Sequence, residues 1–122
     1  MIGTEWTFAP FSYHDDNDNL VGYDVEVSEA LAKELGVKVK FVEVKWYSLI
    51  AGLDSDKYDL VTNQVAITAE RKKKYDFSIP HTYSYPAIIT KKDNTEITKM
   101  SDIKGHKFSQ TGHGLSMTFM HL

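Results

Sequence analysis

An α/β fold around a parallel sheet is what this sequence predicts, on three observations. Short apolar runs rich in β-formers occur near residues 2–4, 37–44 and 58–62. Between them stand two segments whose apolar residues recur at helical spacing. The order is therefore strand, helix, strand, helix, strand. Such alternation implies a parallel sheet with right-handed crossovers, and a ligand site at the carboxyl ends of its strands.

Each element has a local reason. The first strand is a stub over residues 2–4 that ends at Glu5. Residues 7–19 are expected to be a long loop, in which Asp15, Asp16, Asn17, Asp18 and Asn19 make a tight hydrophilic turn. That acidic run invites a calcium reading, but it lacks the central Gly and late bidentate Glu of an EF-hand, which favours a solvated turn. Asp24 is expected to cap a helix whose apolar positions are Val27, Ala30, Leu31 and Leu35, with Gly36 as its stop. Val37, Val39 and Phe41 alternate with Lys38 and Lys40, then Val42 and Val44 follow, a strand pattern. Trp46, Leu49, Ile50 and Leu53 fall at i, i+3, i+4 and i+7, giving a second helix with one apolar face. Residues 58–62 form a short buried strand.

Beyond it, Thr68 can cap a helix beginning at Ala69. Residues 85–91 read as a further strand around Ala87, Ile88 and Ile89, and residues 91–95 as a polar connector. Residues 101–104 read as a helical turn stopped by Gly105, and Lys107, Phe108 and Ser109 as one more strand.

Composition narrows the class. The chain has 122 residues, enough for a domain with a real core, and 42% hydrophobic and 25% charged residues are ordinary for a globular protein. A mean hydropathy of -0.35 and the lack of a long apolar run argue against a spanning helix. A net charge of -3 gives no reason to expect nucleic acid, and the basic run Arg71, Lys72, Lys73 and Lys74 reads as a solvated face. There is no cysteine, hence no disulfide framework and no thiolate chemistry. His14, His81, His106, His113 and His121 stand at no spacing from Ser and Asp that marks a nucleophile, so no enzyme is expected. His113 and His121 lack a third anchored ligand, so neither a metal nor a cofactor is expected.

The stretch from Asn63 to Arg71 carries the most chemistry. A strand runs into a loop and then into the cap at Thr68, and Arg71 stands three residues past that cap. Unpaired N–H groups of a helix start, joined by a two-pronged guanidinium, suit a carboxylate. The alternative is that Thr68 only caps and Arg71 only points into water.

Three ordered motifs extend this reading. They are Gly3 to Phe11, with Trp6, Phe8, Ala9 and Pro10; Gly22, Tyr23, Asp24, Val25, Glu26 and Val27 with Leu31, Ala32 and Leu35; and Asn63, Gln64, Val65, Ile67 and Thr68 followed by residues 70–78 and Pro80. Together they resemble the solute-binding components of polar amino-acid ABC importers, of the type II periplasmic-binding-protein superfamily, and look most like its cystine-binding branch. The resemblance covers residues 3 to about 105 and is expected to stop near Gln110.

It implies a two-lobed α/β protein, with residues 1–92 as the ligand-binding lobe and residues 93–122 as the crossover and start of a second lobe mostly missing from this chain. It implies reversible binding of an amino acid, cystine first and otherwise a basic or polar one such as arginine or glutamine, with lobe closure presenting it to a membrane permease. A few dehydratases share the fold and are the enzymatic alternative. Phe8 and Trp46 would be aromatic walls, the alternative for Trp46 being a core residue at the start of its helix. Arg71 would take the α-carboxylate with the Ala66 backbone N–H, and the Gln64 carbonyl oxygen the α-ammonium, beside Asn63 in the same segment. Many relatives carry a hydroxyl at the Ala66 position, and this chain does not. Glu5 matches an acid that pairs a distal cation, the alternative being an exposed strand-end charge. An extracytoplasmic location is implied, with no export signal expected in this chain. A lobe short of its full complement is expected to leave sheet edges and an apolar face open, and so to self-associate.

Overall fold

Strand β1 (Ile2–Thr4) lies at the centre of a parallel sheet, flanked by β5 (Phe41–Glu43) and β6 (Leu60–Val61). The computed structural model that shows this describes residues 1–85 and 87–107. Ile2, Gly3 and Thr4 pair with Phe41, Val42 and Glu43 on one side, while Ile2 and Gly3 pair with Leu60 and Val61 on the other. The chain crosses from β1 to β5 through helix α1 (Tyr23–Glu34), then back past β1 to β6 through α2 (Trp46–Asp54). The expected strand, helix, strand, helix, strand order is present. Its strands are shorter than the apolar runs, because a ladder extends only as far as its partner and β1 has three residues.

Tyr58 organises the core. It is buried with Val44 and Leu49, and Val42, Trp46, Leu53, Val61 and Val65 pack around them. Its ring lies against Gly3, where a Cβ would come 2.5 Å from the ring, and against Gly52 of α2, where a Cβ would meet the phenol oxygen. The hydroxyl donates to the Leu49 carbonyl, and burial pushes the phenol above its ordinary value of 10.0.

Two expectations for this part are corrected. Residues 7–19 are not simply a loop: β2 (Thr7–Phe8), β3 (Ser12–His14) and β4 (Leu20–Val21) form a small antiparallel sheet. Strands of two or three residues are too short to show a period in sequence. The turn itself forms as expected, with the Asp15 carboxylate accepting from Asn17 N and Asn19 N at 2.9 Å each. The Asn19 backbone donor holds that carboxyl below the usual carboxylate range.

The second correction concerns α1. Its N-cap is Gly22, not Asp24, and its buried residues are Asp24, Val25, Ser28 and Ala32. Of the expected apolar face, Leu31 is 42% and Leu35 65% exposed. The helix packs on β3 and β4, and it meets the end of β6 through polar side chains. Gly36 does stop it, at φ 66, with Gly36 N bonded to Lys33 O and Val37 N to Ala32 O, a Schellman ending.

Compact units divide after Val65, into Met1–Val65 and Ala66–Leu122. The second unit holds the expected one-turn helix α3 (Ala69–Lys72), where Thr68 Oγ1 accepts from Arg71 N at 3.2 Å. It also holds a 3-10 turn, Met100–Ile103, followed by Gly105 at φ 87. The Asp102 carboxylate caps that turn by accepting from Thr98 N and Lys99 N, and these backbone donors, that of Thr98 first, keep its carboxyl low.

The expected strand at residues 85–91 is a further correction: Tyr85 and residues 87–91 form no strand, and Tyr85 and Ile89 are 91% and 95% exposed. An apolar run becomes a strand only against a partner ladder, and no described strand pairs with it. Lys107 lies in no strand, while Phe108, Ser109, His113 and His121 lie outside the described residues.

The contact of Gly52 with Tyr58 can be tested directly. Helix propensity favours alanine over glycine by about 1 kcal/mol. Gly52→Ala is nevertheless expected to lower stability by roughly 1–3 kcal/mol, because the added methyl overpacks the site. Urea denaturation of the two proteins measures this.

Candidate functional site

Because β1, β5 and β6 run parallel, their carboxyl ends emerge along one edge of the sheet. Residues 5–8, 44–46 and 62–64 follow those ends. β1 is also where the strand order reverses, the position at which α/β sheets open a crevice.

Asn63 ties these ends together. It is 2% exposed, and its Oδ1 accepts from the Glu5 backbone N–H at 2.8 Å and from the Thr4 and Ser12 hydroxyls at 3.3 Å each. Its Nδ2 donates to Glu5 Oε2 at 2.8 Å. The other Glu5 oxygen accepts from Trp46 N at 3.2 Å. Trp46 is the first residue of α2, whose N-cap Lys45 supplies no side-chain bond, so the carboxylate of Glu5, just past β1, caps this helix.

The exposed strand-end alternative for Glu5 does not hold: it is 5% exposed and both oxygens are engaged. The Asn63 amide bonds the scaffold. A buried carboxylate needs such donors, and the strand-end geometry supplies them.

Phe8 and Trp46 are both half-buried. The Phe8 ring is tilted 49° against Phe11 with centroids 5.2 Å apart, while Trp46 packs on the Tyr58 cluster. Gln64 has a left-handed backbone at φ 50, and its Nε2 donates to Asp24 Oδ1 at 2.7 Å. Glu5, Asn63 and the Trp46 backbone are thus brought into contact, whereas the Gln64 side chain goes to α1.

In the second unit, Ala66 and Arg71 come together: Arg71 Nη1 donates to the Ala66 carbonyl at 2.9 Å. The expected backward reach of the guanidinium is present. The expected helix N-terminus is short, since α3 has four residues and Arg71 N already bonds the Thr68 hydroxyl. A single turn sums few peptide dipoles, so an anion there would depend chiefly on the guanidinium.

Sequence reasoning missed Thr4, Ser12, Ser28 and Thr62, and took Asp24 for a cap. The available signal was Asp24 and Ser28 at i and i+4, a polar pair within an otherwise amphipathic helix.

Residues 1–115 match the sequence profile of the bacterial extracellular solute-binding proteins, family 3. The chain belongs to this family. The match runs past Gln110, where the resemblance was expected to stop. Among family 3 relatives, the L-cystine-binding protein TcyA of Bacillus subtilis (strain 168) is 50% identical over 111 residues, covering 90% of this chain and 41% of that protein. The L-cystine-binding protein TcyJ of Escherichia coli (strain K12) is 43% identical over 120 residues, covering 98% and 44%. The chain thus spans less than half the length of the curated relatives it matches. Among solved structures, the arginine-bound form of domain 1 from TmArgBP, in its Phe57Trp mutant, superposes with a TM-score of 0.64 at 40% identity. That match covers 66% of this chain and 63% of that one.

The Asn63 hub predicts an order of damage. Asn63→Ala strips Glu5 and two hydroxyls of a partner and should cost roughly 2–4 kcal/mol. Asn63→Asp, which sets a second carboxylate against Glu5, should cost more at neutral pH. Thermal denaturation of both variants beside the parent protein ranks them.

Proposed function

We propose that this chain is the amino-acid-binding lobe of an extracytoplasmic solute-binding component of an ABC importer, with L-cystine as its ligand. The observation that carries the reading is 50% and 43% identity to two proteins named for L-cystine binding, over nearly the whole of this chain. In this reading Arg71 takes the α-carboxylate, with the Ala66 backbone N–H as second donor, and the Gln64 carbonyl oxygen takes the α-ammonium. Phe8 and Trp46 offer flat apolar area to the ligand's side chain. Glu5 and Asn63 serve by holding Trp46 and the strand ends rather than by touching ligand. A membrane permease is the partner that receives the amino acid, and the periplasm or the cell surface, as a lipoprotein, is the place of action.

A basic ligand such as arginine is the second reading. The arginine-bound domain 1 structure favours it, and it also supports study of a lobe apart from its whole protein. Calorimetric titration with cystine, arginine, glutamine and histidine separates the two; heat only with arginine would favour the second, and heat with none would overturn both. In a version extended to the length of its relatives, Arg71→Lys should weaken binding by roughly 1.5–3 kcal/mol. Equal affinity would reduce Arg71 to a scaffold contact of Ala66.

Self-association belongs to the same proposal. Among the described residues β5 and β6 are open sheet edges, and Leu31, Leu35 and Val37 are exposed at the side and end of α1. The chain should therefore form dimers or larger species as concentration rises, which sedimentation velocity over a concentration series detects. A monomer at high micromolar concentration would refute it.

A further inference from the structure

Helix α1 turns a polar stripe inward. Asp24 and Ser28 lie one turn apart on the same face, and both are fully buried. Facing them are Thr62 and Gln64, two residues apart just past β6. The Ser28 and Thr62 hydroxyls are 2.8 Å apart, and Gln64 Nε2 donates to Asp24 Oδ1 at 2.7 Å. Asn63, between them, turns the other way into Thr4, Glu5 and Ser12. The segment 62–64 is thus gripped on two sides.

One residue in that grip has an unusual backbone. Gln64 stands at φ 50, a conformation that non-glycine residues keep only where surrounding contacts impose it. Asp24 does not act as the cap that its place near the helix start suggests. Gly22 holds the N-cap position, and Asp24 N donates to the Phe11 carbonyl. Its carboxyl group lies in the first turn of a twelve-residue helix, the end at which acidic side chains are favoured.

We propose that Asp24 is a positioning residue: with Ser28 beside it, it holds Gln64 in the left-handed conformation and so sets the direction of the Gln64 carbonyl. The use of that carbonyl for a ligand ammonium rests on the amino-acid-binding reading; the positioning itself does not.

Nuclear magnetic resonance on the full 122-residue chain tests this. Asp24→Ala should expose the Gln64 side-chain amide to solvent exchange and shift the backbone signals of residues 62–66. In a Gln64→Gly background, where glycine takes the left-handed conformation without strain, adding Asp24→Ala should leave the Asn63 and Val65 signals nearly unmoved. Unchanged Gln64 signals in Asp24→Ala, or equal shifts in both backgrounds, overturn the proposal. If Asp24→Ala fails to fold, Asp24→Ser keeps a small polar side chain too short to reach Gln64 Nε2. Exchange of the Gln64 amide about tenfold faster then supports the proposal, as expected for a lost side-chain bond, and an unchanged rate overturns it. Titration with L-cystine and L-arginine supplies the ligand arm, with Asp24→Ala expected to bind about tenfold more weakly. If the parent chain binds neither amino acid while the Gln64 coupling holds, the binding reading fails and the positioning stands. Intact binding without the coupling would overturn the positioning and leave the binding reading in place.

Discussion

The buried pairing of Asn63 with Glu5 is the interaction on which the first unit depends. It joins the end of β6 to the end of β1, takes in Ser12 of the antiparallel sheet through Oδ1, and reaches α2 through the carboxylate that receives Trp46 N. Four elements therefore meet on two side chains. Charge and amide are both removed from water, so each is stable only while the other is in place. Such a network leaves a single arrangement of the strand ends in which every polar group is satisfied.

Around that hub the protein divides its chemistry by side. Tyr58 fills one end of α2 with apolar packing so close that Gly3 and Gly52 have no room for a Cβ. The opposite flank of the strand-end loop meets α1 through hydroxyl, carboxylate and amide instead. Apolar packing sets volume but little direction, whereas hydrogen bonds fix orientation. The polar flank is where Gln64, with its left-handed backbone, is bonded to α1. In the second unit the same economy recurs on a smaller scale, with Thr68 holding Arg71 N and the guanidinium holding the Ala66 carbonyl.

Much of the architecture was legible because it rests on local rules. The spacing of Trp46, Leu49, Ile50 and Leu53 predicts α2, Gly36 predicts the end of α1, and Thr68 predicts the start of α3, since each depends on residues within a turn of one another. The antiparallel strands were hidden because two-residue pairings carry no period. The segment at 85–91 has strand composition but no described partner, and pairing cannot be read from one strand. On α1 the apolar residues predict a face that turns outward, because burial is decided by what lies opposite and not by hydropathy alone.

What the sequence determined by itself is the alternation of elements, hence a parallel α/β lobe, and the family resemblance carried by its three motifs. It also placed Arg71 within reach of Ala66, a contact between residues five apart in sequence. Only the tertiary structure decided that Glu5 and Asn63 face inward, 58 residues apart in sequence and 2.8 Å apart in space. It alone decided that Asp24 serves Gln64 rather than its own helix, across 40 residues. The physical reason is the same in both cases. A polar side chain taken out of water must find a partner, and for these residues the partner lies on another element, where no local pattern records it.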